Sequence, residues 1–414
     1  RFVRNQRYLA QEKAGKILFP MYRNPYMDDP SVKGLSRGTH NTHIIHHNGR
    51  LLALKEDSPP AAMDLNTLET IDPVYTFNGQ LKSKTFTAHP KTCSRTGNLL
   101  RADASGWKTL GTGLDPATPI ASGHGRVVGR GLGGVLWVLE AGRAQIFSVP
   151  GLAPHAGLLV LAFGIIAIVA DNAGAHRVVR LDPGGGTWVE SARFGEPVLP
   201  DARPLQFDPS GAAAGPQADD NGHVLVFGGP SDIRYRHGVL GDSVEPTSLI
   251  LLERHGLTTL ARIDLPTPHV FEDIAPRPIA WRGARALLTV RSGPQGAQLC
   301  VVAQSTTAGR FELASLGNPI GTVNRWLSPS TDGHRLLAVN TPHLGGVLHQ
   351  HEPQDSRLPS RVIGRGISNH AIGQRELDVS AWVGSLWVVP AQDRQSLRAI
   401  DIDAPSPATV AAVT

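Results

Sequence analysis

Apolar and polar residues alternate with a period near two over most of this chain, and the alternation comes in recurring blocks. The first runs Gly49-Arg50-Leu51-Leu52-Ala53-Leu54 and resumes, after a polar stretch, at Ala62-Met63-Asp64-Leu65. Further blocks span Ile166 to Asp182, Ala286 to Gln304, Arg335 to Glu352 and Leu386 to Asp403, with half a block from His223 to Gly229. Each reads as a Gly-containing turn, an apolar strand, a polar turn and a second strand. Hairpins spaced by roughly 40–60 residues predict an all-β chain of the β-propeller class, about seven blades joined by long connections. A helix is expected in one place, Asn5 to Leu18, where Tyr8, Leu9 and Ala14 fall near one face.

Composition narrows the picture by exclusion. Gly 45 and Pro 32 in 414 residues suit many short strands and turns, and 41% hydrophobic with 18% charged residues is enough for a core and too little charge for a disordered chain. The longest apolar run, Gly157 to Asp171, is broken by glycines and reads as two adjacent strands, so no membrane-spanning helix is expected. Cys93 and Cys300 are too few for a disulfide framework or a cysteine-based zinc or iron–sulfur centre. The chain opens at Arg1 without Met and shows no signal peptide; a cytoplasmic location is the expectation, with an upstream segment missing.

The charge is unevenly spread. Residues 1–100 hold 14 Lys/Arg against 8 Asp/Glu, whereas residues 101–414 hold 26 against 27. Seven of the eight lysines lie at or before Lys91, and Met21, Met27 and Met63 all fall in the first segment. This shift in usage places a joint near residue 98 and predicts two parts, 1–98 and 99–414, in a chimeric or incomplete propeller. The basic residues of the first part are scattered among apolar ones and form no block, so nucleic acid is not an expected partner.

The first part carries a recognisable series of motifs. The stretch Thr42-His43-Ile44-Ile45-His46-His47-Asn48-Gly49-Arg50-Leu51-Leu52-Ala53-Leu54-Lys55-Glu56 is followed by Met63-Asp64, Thr67-Leu68-Glu69-Thr70, Tyr75-Thr76-Phe77-Asn78-Gly79-Gln80-Leu81 and Phe86-Thr87-Ala88-His89-Pro90-Lys91. Upstream, Tyr22-Arg23-Asn24-Pro25 and Asp28-Asp29-Pro30 fit the same series. It resembles the carotenoid cleavage oxygenase family, most closely its bacterial lignostilbene-cleaving branch, over about a quarter of the chain. The resemblance implies a seven-bladed propeller holding Fe(II) on its axis by four histidines, and cleavage of a conjugated double bond with O₂ to two carbonyl products. It makes His89 a metal ligand and gives His43, His46 and His47 no such role. After Thr96-Gly97 the family pattern stops, and the segments that would bring the other ligands are not found.

Twelve histidines lie beyond residue 100, and three share a setting: Pro154-His155, Pro268-His269 and Asn369-His370 each precede a hairpin. Together with His89 they would make a His₄ site for Fe(II), with Glu272, three residues past His269, orienting its imidazole. The plainer reading is a polar, water-bound propeller axis without metal. His349 and His351 alternate along a strand and are expected to be exposed. Arg277, Arg291 and Arg325 are candidates to line an anionic pocket or to close ion pairs with Glu272 or Asp273, and the ion pairs are the favoured expectation. Phe271, Trp281, Trp326 and Trp382 are candidates for an apolar tunnel, with core packing as the default. Gly129-Arg130-Gly131-Leu132-Gly133-Gly134 and Asp219-Asp220-Asn221-Gly222 read as turns, Asp401-Ile402-Asp403 lacks a calcium-loop pattern, and no Gly-x-Ser-x-Gly elbow occurs.

Two functions follow. One is an Fe(II) dioxygenase acting on an apolar or aromatic alkene and O₂. The other is a non-catalytic β-propeller that binds a small molecule or a protein partner. Bound iron separates them.

Overall fold

The computed structural model describes residues 3–20, 27–40, 43–47, 50–55, 58–65, 67–76, 99–103, 106–111, 113–116, 118–210, 222–305, 307, 309–404 and 409–413. These residues are nearly all β, in seven sheets built on four antiparallel strands, plus a two-stranded ribbon. The fold is a β-propeller type with seven blades. The chain divides into two compact units, residues 1–116 with 142–144, and residues 117–141 with 145–414.

The first unit holds one blade and the helix. Asn5 caps Gln6–Ala14, its side-chain oxygen accepting from the Tyr8 amide, and Gly15 in the left-handed region (φ 61°) ends the helix short of the expected Leu18. Leu18 and Phe19 instead leave the helix and pack with Val32. The blade runs His43–His47, Arg50–Leu54, Ala61–Asp64 and Thr70–Asp72 in chain order, followed by the ribbon Leu99–Asp103 and Gly106–Gly111.

In the second unit the blades follow one another. Ala121–Gly123, Arg126–Arg130, Leu136–Glu140 and Arg143–Phe147 make one, with Gly133 and Gly134 turning the chain as expected. Leu159–Val160, Ile165–Ala170, His176–Gly184 and Thr187–Arg193 make the next, and the Gly157–Asp171 run is indeed two adjacent strands. Then come Leu205–Phe207, His223–Ser231, Glu245–Leu252 and Thr259–Asp264. The following sheet is built on Val270–Phe271, Ala284–Gly293, Gly296–Gln304 and Phe311–Gly317, with Arg277–Trp281 paired to its second strand and Arg357–Leu358 added in parallel at the edge. Leu327–Thr331, Leu336–Asn340, Val347–His351 and Ser360–Arg365, then Ala381–Val383, Leu386–Pro390, Leu397–Asp401 and Thr409–Val413, complete the series.

Every block read from the sequence is the middle pair of a blade. The reason is burial: Ile165–Ala170 is buried at five of six positions, because faces of neighbouring blades close over it, whereas the edge strand Thr187–Arg193 is mostly exposed. Each fully buried Leu, Ile or Val contributes about 1.5–3 kcal/mol, so the central strands hold most of the stabilisation. Phe271, Trp281 and Trp326 belong to the largest buried cluster, as core rather than tunnel, and Trp382 packs against a smaller one.

Candidate polar site of the second unit

Buried polar groups collect where several blades of the second unit begin. Glu272 and Asp273 follow directly on Val270–Phe271, and the Glu272 amide continues that pairing by donating to the Val290 carbonyl at 3.0 Å. Adjacent residues of an extended chain face opposite ways, so the two carboxylates serve different neighbours. Asp273 is fully buried. Its Oδ1 accepts from the Ile274 and Ala275 amides at 2.9 and 3.2 Å; its Oδ2 accepts from the Arg277 guanidinium at 2.9 Å and the Thr289 hydroxyl at 2.8 Å. Of the three arginines expected to close ion pairs with Glu272 or Asp273, Arg277 does so. Arg291 instead donates to the Gln298 side chain at 2.6 Å and Arg325 to the Asn324 carbonyl at 3.1 Å, so for these two the expected ion pair is replaced by other partners.

Glu272, also fully buried, has Oε1 2.5 Å from Nδ1 of His237 and Oε2 2.5 Å from the Ser292 hydroxyl. Its backbone carbonyl accepts from the Trp326 indole at 3.0 Å, which fixes the next blade to it. Burial raises the Glu272 carboxyl above the ordinary carboxylate range, with the His237 ring and the Ser292 hydroxyl acting the other way. His237 comes from the loop between His223–Ser231 and Glu245–Leu252, 35 residues away in sequence. The expected orientation of His269 by Glu272 is thus replaced by orientation of His237. Residues three apart in an extended segment point to opposite faces, and the Nδ1 of His269 is buried without a hydrogen-bond partner.

His343 and His370 form a second pair. His370 is fully buried, its Nε2 lies 2.8 Å from the Gln374 carbonyl and its Nδ1 2.8 Å from Nε2 of His343. A carbonyl only accepts, so Nε2 of His370 carries the proton, its Nδ1 accepts, and Nε2 of His343 donates. Burial lowers His370 to about 4, and burial with the charge of Arg394 lowers His343. Trp326 packs on both rings, at centroid distances of 6.4 and 4.6 Å.

The four expected iron ligands meet different fates. His89 lies outside the described residues. His155 is half-buried in a connection between blades, His269 sits before Val270–Phe271, and both ring nitrogens of His370 are already engaged. Among the described residues no three His, Cys, Asp or Glu side chains are grouped to hold a metal ion, so His155, His269 and His370 do not fit a shared Fe(II) site. His351, expected to be exposed, is buried: it is the last residue of the strand Val347–His351, faces the Leu358 carbonyl at 3.3 Å, and burial lowers it to about 4. Asp403 is bound by Arg335, and Asp219, Asp220 and Asn221 lie outside the described residues. Sequence reasoning missed His237, Asp201, Asp242 and Glu245, each tied to the cluster by chain-distant contacts or charge; an acidic pair set directly behind a buried Val-Phe was the one local signal.

Comparison with known proteins bears on the first unit. Residues 1–108 match the family described as Retinal pigment epithelial membrane protein. A lignostilbene-alpha,beta-dioxygenase isozyme III from Sphingomonas paucimobilis is 49% identical over 99 residues, 24% of this chain and 20% of that protein. A resveratrol cleavage oxygenase 1 from Chaetomium globosum is 45% identical over 132 residues, 31% of this chain and 22% of that protein. The resemblance of the first segment to the carotenoid cleavage oxygenases therefore holds. The chain spans about a fifth of the length of these relatives. A crystal structure of Pseudomonas brassicacearum lignostilbene dioxygenase aligns over 98% of this chain and 78% of its own at 18% identity, with a TM-score of 0.25, too low to carry an argument. No described helix is long and apolar enough to cross a membrane.

Proposed function

We propose that the chain acts as an alkene-cleaving dioxygenase, taking an apolar or aromatic conjugated alkene and O₂, with Fe(II) as its metal and His89 among the ligands. The observation that supports this is the 49% identity of the first segment to a lignostilbene dioxygenase. His155, His269 and His370 are not grouped to hold an ion and do not complete the ligand set in this reading. In this reading residues 1–98 and 99–414 are parts of different origin joined in one chain.

The test is metal content after anaerobic reconstitution with Fe(II), with His89→Ala alongside, followed by product analysis with a hydroxylated stilbene under O₂. Close to one iron per chain, lost in His89→Ala, together with two carbonyl products is the expected outcome. Iron no higher than in the variant refutes it.

A second reading, a non-catalytic propeller binding a small molecule or a protein partner, is favoured by a separate observation. The second unit gathers buried, oriented polar side chains without grouping three metal-ligating residues among those described.

A further inference from the structure

Residues 366–380 join Ser360–Arg365 to Ala381–Val383 without a strand of their own, a longer link than neighbouring blades need. The segment does not pass straight to its neighbour. The Gly373 amide donates to the Val239 carbonyl at 2.9 Å, and Arg375 donates to Asp201 at 2.6 Å and to Asp242 at 2.5 Å. Arg203 donates in turn to the Arg375 carbonyl at 2.6 Å. Asp201 and Arg203 lie between Thr187–Arg193 and Leu205–Phe207, and Val239 and Asp242 between His223–Ser231 and Glu245–Leu252. The sheets that begin at Val270–Phe271 and Leu327–Thr331 stand between those contacts and the segment's own ends. Where blades are set around an axis, a short path between such distant junctions runs across the end of the propeller.

The segment is held differently along its length. At its start the Gln392 amide donates to the Gly366 carbonyl at 2.9 Å and the Ser368 amide to the Pro390 carbonyl at 3.0 Å, and Ser368, Asn369 and His370 are buried. At its far end Leu377 belongs to the largest core cluster, and its carbonyl accepts from the Ser328 hydroxyl at 2.8 Å. Between these fixed points no residue from 371 to 376 is buried, and Ile372 is 68% exposed. The middle therefore rests on polar contacts, of which the two ion pairs of Arg375 carry charge. A stretch with few buried apolar groups opens at a lower free energy than the core strands beside it.

The Glu272–His237 pair lies where this segment docks. Val239, which accepts from Gly373, is two residues from His237. His370 packs on Trp326, whose indole donates to the Glu272 carbonyl. The segment thus touches both elements that supply the pair. The His237 side chain is 19% exposed and its Nδ1 is engaged by Glu272, so Nε2 is the nitrogen left to meet what enters.

We propose that residues 371–376 form a strap, pinned by Arg375, that closes the end of the second unit over the Glu272–His237 pair and swings open between His370 and Leu377. The strap goes beyond both readings of function and involves no iron, so the alkene-cleavage assay and the test below fail independently.

Hydrogen exchange read by mass spectrometry on the full chain follows the strap, and modification of His237 by diethylpyrocarbonate, located in the same peptides, follows access to the pair. In Arg375→Gln, residues 371–376 should exchange ~10-fold or more faster and His237 should be modified correspondingly faster. The central strands Ala284–Gly293 and Gly296–Gln304 should keep their protection, and the surface control Glu190→Gln should leave every rate unchanged. Asp242→Asn, whose side chain is 37% exposed, frees one arm of Arg375 and should give a smaller change in the same direction. Salt at about 1 M NaCl should do the same in the unmodified chain by screening the ion pairs. Should Arg375→Gln fail to fold, these two measurements decide the matter. The proposal is overturned by unchanged exchange at 371–376, or by a His237 modification rate that stays constant while the strap opens. Acceleration that spreads equally into the central strands also overturns it, because Arg375 would then support the whole fold and not a strap.

Discussion

Replacing Asp273 by alanine removes the acceptor for four donors at once. Two are the amides of Ile274 and Ala275, one is the buried Thr289 hydroxyl, and one is the Arg277 guanidinium. Arg277 keeps 16% of its side chain exposed and recovers part of its hydration, whereas Asp273 and Thr289 are fully buried. At about 1 kcal/mol net per hydrogen bond, with a further penalty for stranding part of a buried ion pair, Asp273→Ala costs about 3–5 kcal/mol. Asp273→Asn keeps one acceptor oxygen and loses the charge, for about 1–2 kcal/mol. Thr289→Val breaks a single bond and costs about 1 kcal/mol alone, but almost nothing on top of Asp273→Ala, whose carboxylate is already gone. Urea unfolding of the full chain, the three single variants and the double variant Asp273→Ala with Thr289→Val, followed by tryptophan fluorescence, measures each through its midpoint and slope. A loss under about 1 kcal/mol for Asp273→Ala refutes the reasoning, as does strict additivity of the two substitutions.

Two further expectations rest on local geometry. His370 has its folded-state pKa lowered from 6.5 to about 4 by burial, so its neutral form stabilises the fold fully above pH 6.5 and that contribution is lost as pH falls toward 4. Urea midpoints measured from pH 7 to pH 4.5 should decline by an amount equivalent to about 2–3 kcal/mol and decline less in His370→Gln; equal declines would exclude His370 as a source. Gly346 sits at φ +42° with a Cβ position 1.6 Å from the Ile367 carbonyl oxygen, whereas Gly345, at φ +86°, has no atom within 4 Å of its Cβ position. Gly346→Ala should cost about 3 kcal/mol or more and Gly345→Ala about 1 kcal/mol; matching thermal midpoints for the two would contradict the close approach.

The central hairpins were legible because burial on both faces writes itself into the chain as apolar runs such as Ile165–Ala170. Edge strands were not. Arg143–Phe147 is held by backbone pairing to a neighbour, is exposed at four of five positions, and carries no apolar signature of its own. The same holds within the candidate site. Glu272 was noticed, but its partner was sought three residues away, when the ring it orients, His237, lies 35 residues away on the preceding blade.

The sequence by itself determined an all-β propeller of about seven blades and the likeness of its first segment to alkene-cleaving oxygenases. Alternation and motif order are properties of neighbouring residues, so they survive in a linear string. Only the tertiary structure decided that His155, His269 and His370 are not grouped to hold an ion, that His351 is buried, and that Glu272 orients His237. Those outcomes depend on which loops meet where blades adjoin, and loop length does not encode where a side chain at its tip will point.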